Sequence, residues 1–326
     1  MKTYRIENTE IEATRIVYGC MEIGGNWSTN PINDDIKKHG LAALHAALDA
    51  GINFFDLADI YCRGKSDESF SQIWDLDADM RQKIYVQTKA GIRFPGDPNA
   101  GDPTRYDYSF THLMASVEGS LKRLKTDYID ILLLHRPDAL VEPEEVARAF
   151  DELHSSGKVR YFGVSNHFTD QIELLKHHIN RPLLVNQLEL NILHSGLMSA
   201  GVSVNQTFPP YPIHGAGTLE YCREHSIRIQ AWSPLAKGQL TGAKVKSDEP
   251  RFRKTKELVD RLASEKGVRS EAIALAWLLR HPAGIQPVIG TTNPERIKAC
   301  AAADSVDLSR EEWYSLFAAG RGADMA

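Results

Sequence analysis

Residues 128–165 read YIDILLLHRPDALVEPEEVARAFDELHSSGKVRYFGVS. The stretch opens on one apolar run, YIDILLLH (128–135), and closes on another, VRYFGVS (159–165). Between them, EEVARAFDELHSSGK (144–158) carries a helical pattern that ends at a glycine. Strands that stay apolar residue after residue are buried on both faces, and a helix between two of them makes a strand–helix–strand unit with parallel strands.

The same alternation runs outward in both directions. Upstream lie the runs IVYGC (16–20), NFFDLA (53–58) and KIYVQTKAG (83–91). Downstream lie LLVNQLEL (183–190), RIQAWSP (228–234) and IQPVIG (285–290). Helical patterns sit between them: LAALHAALDAG, with Leu41, Leu44 and Leu48 on one face and Gly51 as its cap, then ESFSQIWD, FTHLMASVEGSLKRLK (110–125), TDQIELLKHH and GTLEYCREH. NPERIKACAAA follows the last strand. Eight strand–helix units predict an α/β fold of one domain over residues 1–326, a (β/α)8 TIM barrel rather than a doubly wound sheet. No GxGxxG follows the first strand, which counts against a dinucleotide-binding Rossmann unit. Two long loops, 194–214 and 236–254, leave the C-terminal ends of strands six and seven, the face where such barrels build active sites.

The 326 residues carry a formal net charge of −5, so no global field draws the chain to nucleic acid or to an anionic membrane. Four cysteines stand far apart (Cys20, Cys62, Cys222, Cys300) and form no metal-like spacing, as expected of reduced thiols. The opening MKTYRIENTE has no apolar core of a signal peptide, and no apolar run approaches a membrane span. A cytoplasmic globular protein without a metal is the expectation.

Polar residues collect at the strand ends. Asp56 ends strand two with Tyr61 beyond it, Lys89 ends strand three and His135 ends strand four. Singly, each has an ordinary reading as a helix cap, a solvated charge or a structural histidine. Together they converge on one rim. An ammonium beside a phenol favours phenolate and pulls its pKa toward neutrality, while a carboxylate keeps that ammonium charged and in place. The phenol can then protonate a carbonyl oxygen as it becomes an alkoxide, and a neutral imidazole can donate to the same oxygen. No side chain supplies hydride, so such chemistry needs a nicotinamide cofactor.

DLADIY, TKAG, LLHRPD, VRYFGVSN, VNQLELN, AWSPL and VIGTTNPERI, in this order and spacing, resemble the aldo-keto reductase superfamily across essentially the whole chain. The chain is most similar in appearance to a bacterial oxidoreductase branch carrying DHADIY and LIHRPDP. The resemblance places the catalytic Asp, Tyr, Lys and His on Asp56, Tyr61, Lys89 and His135. It assigns Ser165, Asn166 and Gln187 to the nicotinamide carboxamide and Trp232 to stacking on its ring. Ser233, Leu235 and Gly238 fall in the pyrophosphate stretch; Gly290, Thr291, Thr292, Asn293 and Arg296 fall around the ribose 2′-phosphate. Gly290 replaces a common lysine, so the implied cofactor is NADP(H) by preference, with NAD(H) possible. Trp27, just past strand one, and Phe94, past strand three, are expected either to face the pocket of a small carbonyl substrate or to pack in a loop core.

Two other readings compete: a Schiff-base lyase using Lys89, and a nicotinamide-sensing regulatory subunit with slow turnover. Neither the substrate nor the oligomeric state is written in any motif.

Overall fold

In the computed structural model, which describes residues 1–203, 215–242 and 249–325, eight parallel strands close into a barrel in chain order. They are β1 Val17–Gly19, β2 Phe54–Asp56, β3 Tyr85–Ala90, β4 Ile129–Leu134, β5 Val159–Ser165, β6 Leu183–Glu189, β7 Arg228–Trp232 and β8 Gln286–Ile289. Pairing of Val288 with Val17 and of Ile289 with Tyr18 closes the ring. The expected (β/α)8 barrel is therefore present. All of its strands but β5, which spans its whole run, are shorter than the apolar runs, because residues at the ends of those runs leave the ladder.

The apolar runs need two buried faces. On β4, Ile131 and Leu133 pack inside the barrel with Val17, Phe54, Val185 and Val288. Leu132 and Leu134 face outward, against Val117, Val146 and Phe150 of the surrounding helices. Alternation along a strand sends successive side chains to opposite faces, and here both are dry.

Sequence periodicity missed several elements. An antiparallel hairpin, Thr3–Arg5 with Glu12–Thr14, buries Ile6 and Ile11 against the barrel interior. It lies at the N-terminal end, where the Tyr85 and Tyr161 hydroxyls accept from its backbone. A second short hairpin pairs Ile92–Arg93 with Arg105–Tyr106. The first helix starts at Asp34 rather than Leu41, with Asn33 accepting from the Ile36 amide at 2.9 Å. Its polar first turns hid it from an apolar count. Gly51 follows its C-cap at φ 79°, a conformation that suits glycine. Helices Pro250–Lys266 and Ser270–Leu279 occupy the chain between β7 and β8. The second is buried nearly all round and carries no amphipathic signal. The loop after β7 therefore ends at Pro250, and its residues 243–248 lie outside the described residues. Of the 194–214 stretch, Gly196–Val202 is helical and 204–214 lie outside the described residues. No helix among the described residues is long and apolar enough to cross a membrane.

One loop matters most for the site, the segment from Leu57 to Gly64 that carries Tyr61. It is threaded with backbone bonds: Leu57 N to Gln87 O at 2.8 Å, Asp59 N to Lys89 O at 3.0 Å and Tyr61 N to Ala58 O at 3.0 Å. Cys62 and Arg63 adopt positive φ and Gly64 sits at φ 85°, bending the chain sharply into helix Lys65–Phe70. A side chain at Gly64 would meet Arg123 at 2.8 Å. Arg123 latches this bend. It donates to Asp67 Oδ2 from Nη2 and Nε at 2.9 and 3.1 Å, to the Asp59 carbonyl at 3.3 Å and to Ser120 Oγ at 3.1 Å. Behind the loop, the Lys65 ammonium donates to Asn26 Oδ1, the Ser28 carbonyl and the Asn30 carbonyl. Two loops are thus tied together at the barrel mouth.

The latch holds two carboxyls in a dry space. Burial pushes Asp59 up to about 7, with Asp67 adding to the rise and Ser116 and Arg123 opposing it. Burial likewise pushes Asp67 up to about 6 against the pull of Arg123. A carboxyl whose pKa is raised in the folded state contributes stability at low pH that is lost as pH rises through the folded value. For Asp59 the window is about pH 4 to 7. Asp59→Asn should therefore gain on wild type as pH rises through that window, by about 2 °C or more in melting temperature near pH 8. Thermal melts of both proteins at pH 5, 6, 7 and 8 check this. A gap that stays constant with pH would mean that Asp59 folds with an ordinary pKa.

Candidate active site

Strand geometry brings the site together before any loop contributes. On β3, Gln87 and Lys89 are two residues apart and share the interior face. Asp56 closes β2 beside them, pairing in register with Gln87. Lys89 is 1% exposed and Asp56 2%. The Lys89 ammonium spends its three N–H groups on Asp56 Oδ2 at 2.7 Å, the Leu57 carbonyl at 2.8 Å and the Tyr61 hydroxyl at 2.8 Å. Asp56 Oδ1 accepts from Gln87 Nε2 at 2.7 Å and Gln187 Nε2 at 3.0 Å.

A glutamine ladder continues below this node. Gln87 and Gln187 both donate to Gln230 Oε1, at 2.7 and 2.9 Å. Gln230 donates to Gln286 Oε1 at 3.0 Å, and Gln286 to the Thr14 carbonyl at 2.7 Å. Buried amides are costly unless bonded, and this chain bonds every Nε2 group from the barrel floor to Asp56, leaving Gln87 Oε1 without a partner among the described residues. Gln87, Gln230 and Gln286 were not singled out in the sequence. The available signal was the two-residue spacing from Gln87 to Lys89 and from Gln230 to Trp232, which puts each pair on one face.

Electrostatics follow from burial. Burial by itself would lower the Lys89 pKa, but Asp56 and Tyr61 outweigh it and hold the ammonium above the usual lysine value. A charged amine with all its hydrogens bonded is no Schiff-base nucleophile, which removes the basis of the lyase reading. For Tyr61 the outcome corrects the sequence expectation. Burial raises its pKa, Lys89 lowers it, Asp56 raises it again, and the net shift is upward rather than toward neutrality. Burial outweighs the charge that was to stabilise phenolate, with Asp56 adding to the rise, so the phenol keeps its proton at neutral pH. His135 sits across from it, ring centroids 5.9 Å apart and nearly perpendicular. Burial, Lys89 and Arg136 together push the imidazole well below its usual pKa, so it is neutral. Its Nδ1 has no hydrogen-bond partner among the described residues.

A cavity of about 650 Å³ opens over these groups. Asp56, Tyr61 and His135 line its inner end, with Lys89 behind them. Every residue expected at a coenzyme lines it except Asn293, which instead caps helix Pro294–Ala301 by accepting from the Arg296 amide. Ser165 donates to the Gln187 carbonyl at 2.8 Å, Asn166 Nδ2 to Ser165 Oγ at 2.8 Å, and Trp232 Nε1 to Asn166 Oδ1 at 3.0 Å. These bonds fix the indole beside a polar corner. At the far end, Arg296 donates to Glu271 at 3.0 Å and to Thr241 at 2.9 Å. Glu271 is 2% exposed and fixes the guanidinium from behind. The wall between is small: Gly19, Gly238 and Gly290 line it, and a side-chain carbon at Gly238 would meet nothing within 4 Å. An elongated cavity with a planar ring and amide groups at one end, small residues midway and an arginine at the other fits a nicotinamide dinucleotide.

Trp27 and Phe94 are not on this wall. They pack edge to face at 6.4 Å, with Arg63 lying 4.4 Å over Phe94 and donating to the Trp27 carbonyl at 2.9 Å. Trp27 is 44% exposed. Both belong to a rim cluster between two loops, because the bend at Cys62 and Arg63 brings Arg63 outward to them. Cys62 is buried, donates to the Met21 carbonyl at 3.2 Å and has its pKa raised by burial. It is an inert thiol in this setting.

The chain matches the model of the aldo/keto reductase family over residues 15–320. It is 36% identical over 319 residues to a 6-dehydroglucose reductase of Agrobacterium fabrum, covering 97% of each chain. It is equally similar, 36% over 319 residues and 97% of each, to the uncharacterized oxidoreductase YcsN of Bacillus subtilis. A glycerol dehydrogenase structure from Gluconobacter oxydans superposes with a TM-score of 0.79 at 25% identity, covering 98% of this chain and 94% of the other. A barrel with this node at its mouth and a match along nearly its full length leaves one assignment: the chain belongs to the aldo/keto reductase family and is an NAD(P)H-dependent oxidoreductase.

Proposed function

We propose that the protein reduces a small aldehyde or ketone to the alcohol, with Tyr61 as proton donor and NADP(H) as the preferred coenzyme. The observation that carries this reading is the three-way bonding of the buried Lys89 ammonium to Asp56, Leu57 and Tyr61 at the inner end of the cavity. When bound, the nicotinamide supplies the hydride. The chain does the rest. A carbonyl oxygen between Tyr61 and His135 accepts one hydrogen bond from the phenol and one from the neutral imidazole. As that oxygen gains negative charge, the phenol proton passes to it. The phenolate left behind rests 2.8 Å from the Lys89 ammonium, which stabilises it until solvent restores the proton. The raised phenol pKa suits a donor that holds its proton until an alkoxide forms beside it.

Arg296 supports the coenzyme preference. Glu271 and Thr241 use its Nε and one Nη2 hydrogen, so the guanidinium is pre-oriented, and its other N–H groups, without a side-chain acceptor among the described residues, can grip an anion. Gly290 offers no lysine beside it, and the expected selectivity is a preference without exclusivity.

Two measurements test this reading. Tyr61→Phe should bind NADPH as wild type does and lose about a hundredfold or more in turnover, within the 10²–10⁴ usual for a general acid. Fluorescence titration with NADPH, together with a carbonyl panel that includes 6-dehydroglucose, separates binding from chemistry; a variant that keeps most of its turnover removes Tyr61 from the mechanism. Arg296→Ala should weaken NADPH roughly ten- to a hundredfold more than NADH, the worth of a charge-assisted bond of about 1.5–3 kcal/mol. Equal loss for both coenzymes assigns Arg296 a structural part, as partner to buried Glu271.

A further inference from the structure

We infer that Arg136 makes this site select carbonyl substrates that carry an anionic group, a carboxylate or phosphate a few bonds from the carbonyl. The inference rests on the reductase reading and adds a substrate class to it. Arg136 directly follows His135 at the end of β4 and lines the same cavity. Tyr108 fixes its backbone by donating to the Arg136 carbonyl. Its guanidinium lies 5.5 Å from the centre of the Trp232 ring, and it is close enough to His135 to help depress the imidazole.

What sets Arg136 apart is the lack of an acidic partner. The other cations of the site among the described residues are accounted for: Lys89 by Asp56, Arg296 by Glu271, and Lys237 by exposure to solvent. Arg136 is half-buried and has no ion pair among the described residues; its guanidinium faces the Trp232 indole and acts on the uncharged His135 and Tyr108, none of which is a counterion. Among the described residues two carboxylates line the cavity. Asp56 is spent on Lys89. Glu22 lies toward Thr292, where it also borders a neighbouring cavity with Asn33 and Asp35. A partly desolvated guanidinium without a counterion is unfavourable unless something brings one. An indole face only partly compensates. A carboxylate or phosphate entering with the substrate would complete the pair through the planar fork that arginine presents. Because Arg136 neighbours His135, an anion seated there places the carbonyl of a short substrate at the inner end of the cavity, between the imidazole and Tyr61.

The test compares charged and neutral forms of the same skeleton. The kcat/KM for 4-oxobutanoate is measured against 4-oxobutanamide, and that for glyceraldehyde 3-phosphate against glyceraldehyde, in wild type, Arg136→Met and Arg136→Lys. Wild type should favour the anion of at least one pair by about ten- to a hundredfold. The pair that shows it identifies the anion as carboxylate or phosphate. In Arg136→Met that ratio should fall toward one through KM, and in Arg136→Lys it should lie between. A purely structural part for Arg136 would leave the ratio intact whatever happened to the absolute rates. Wild-type ratios near or below one in both pairs, or a ratio that survives in Arg136→Met, overturn the inference. So does reduction of 6-dehydroglucose or another neutral carbonyl with neither anion turned over, an outcome that leaves the reductase reading standing. Failure to reduce any carbonyl with either coenzyme overturns both.

Discussion

A lysine ammonium buried at 1% exposure needs three acceptors and a counterion, and the mouth of this barrel is arranged around that requirement. Removing two charges from water costs several kcal/mol per ion, recovered only where geometry and hydrogen bonding are nearly complete. Lys89 meets the condition with a carboxylate, a carbonyl and a phenol. Asp56 meets it with the ammonium and two glutamine amides. Each of those amides also bonds Gln230, which leads on to Gln286 and the Thr14 carbonyl. The polar column through an otherwise aliphatic barrel is the support on which one charged pair can be kept dry.

That support explains why the Tyr61 loop is so strongly fixed. Tyr61 is the third acceptor of the ammonium, so the loop must return over the end of β3 rather than continue outward from β2. The positive φ values at Cys62, Arg63 and Gly64 and the Arg123 latch on Asp67 are the backbone consequences. Strain of this kind persists only where surrounding contacts over-determine it. Here those contacts are the Lys65 cradle on one side and Arg123 on the other. The same bend turns Arg63 outward onto Phe94 and Trp27, which is why those aromatics form a rim cluster and leave the cavity wall to Tyr61, His135, Arg136 and Trp232.

Charge is graded along the cavity. Its inner end holds a neutral imidazole, a protonated phenol and an arginine without a counterion among the described residues, while its outer end holds an arginine braced by a buried glutamate. In a half-buried setting a braced cation and an unbraced one behave differently. The first is pre-organised and gives up little of its solvation when an anion arrives; the second lacks the compensation that an anion would bring. Coenzyme phosphate and substrate anion would thus be received by two arginines with different degrees of preparation.

The alternation of apolar runs such as YIDILLLH and VRYFGVS with helical stretches determined the barrel, because only strands covered on both faces read that way and eight of them in series close on themselves. The strand-end positions of Asp56, Lys89 and His135 followed from the same reading, since a strand's last interior residue has little choice of place. The ordered motifs were enough to name the family resemblance and most of the residues that line the cavity. Three kinds of fact lay beyond the chain's local pattern. Helix Ser270–Leu279 is apolar all round and gives no period, and the N-terminal hairpin is too short to give one. The direction of the Tyr61 pKa depends on how burial, Lys89 and Asp56 balance, and that balance exists only once their distances are set. Whether Trp27 or Phe94 meets the cavity depends on loop paths, which the Cys62–Gly64 bend and long-range bonds from Lys65 and Arg123 decide, while the backbone of Arg136 is fixed by the distant Tyr108. Local sequence fixes which side chains stand at the rim. Contacts between residues far apart in the chain decide which way the rim turns and which charges are left without partners.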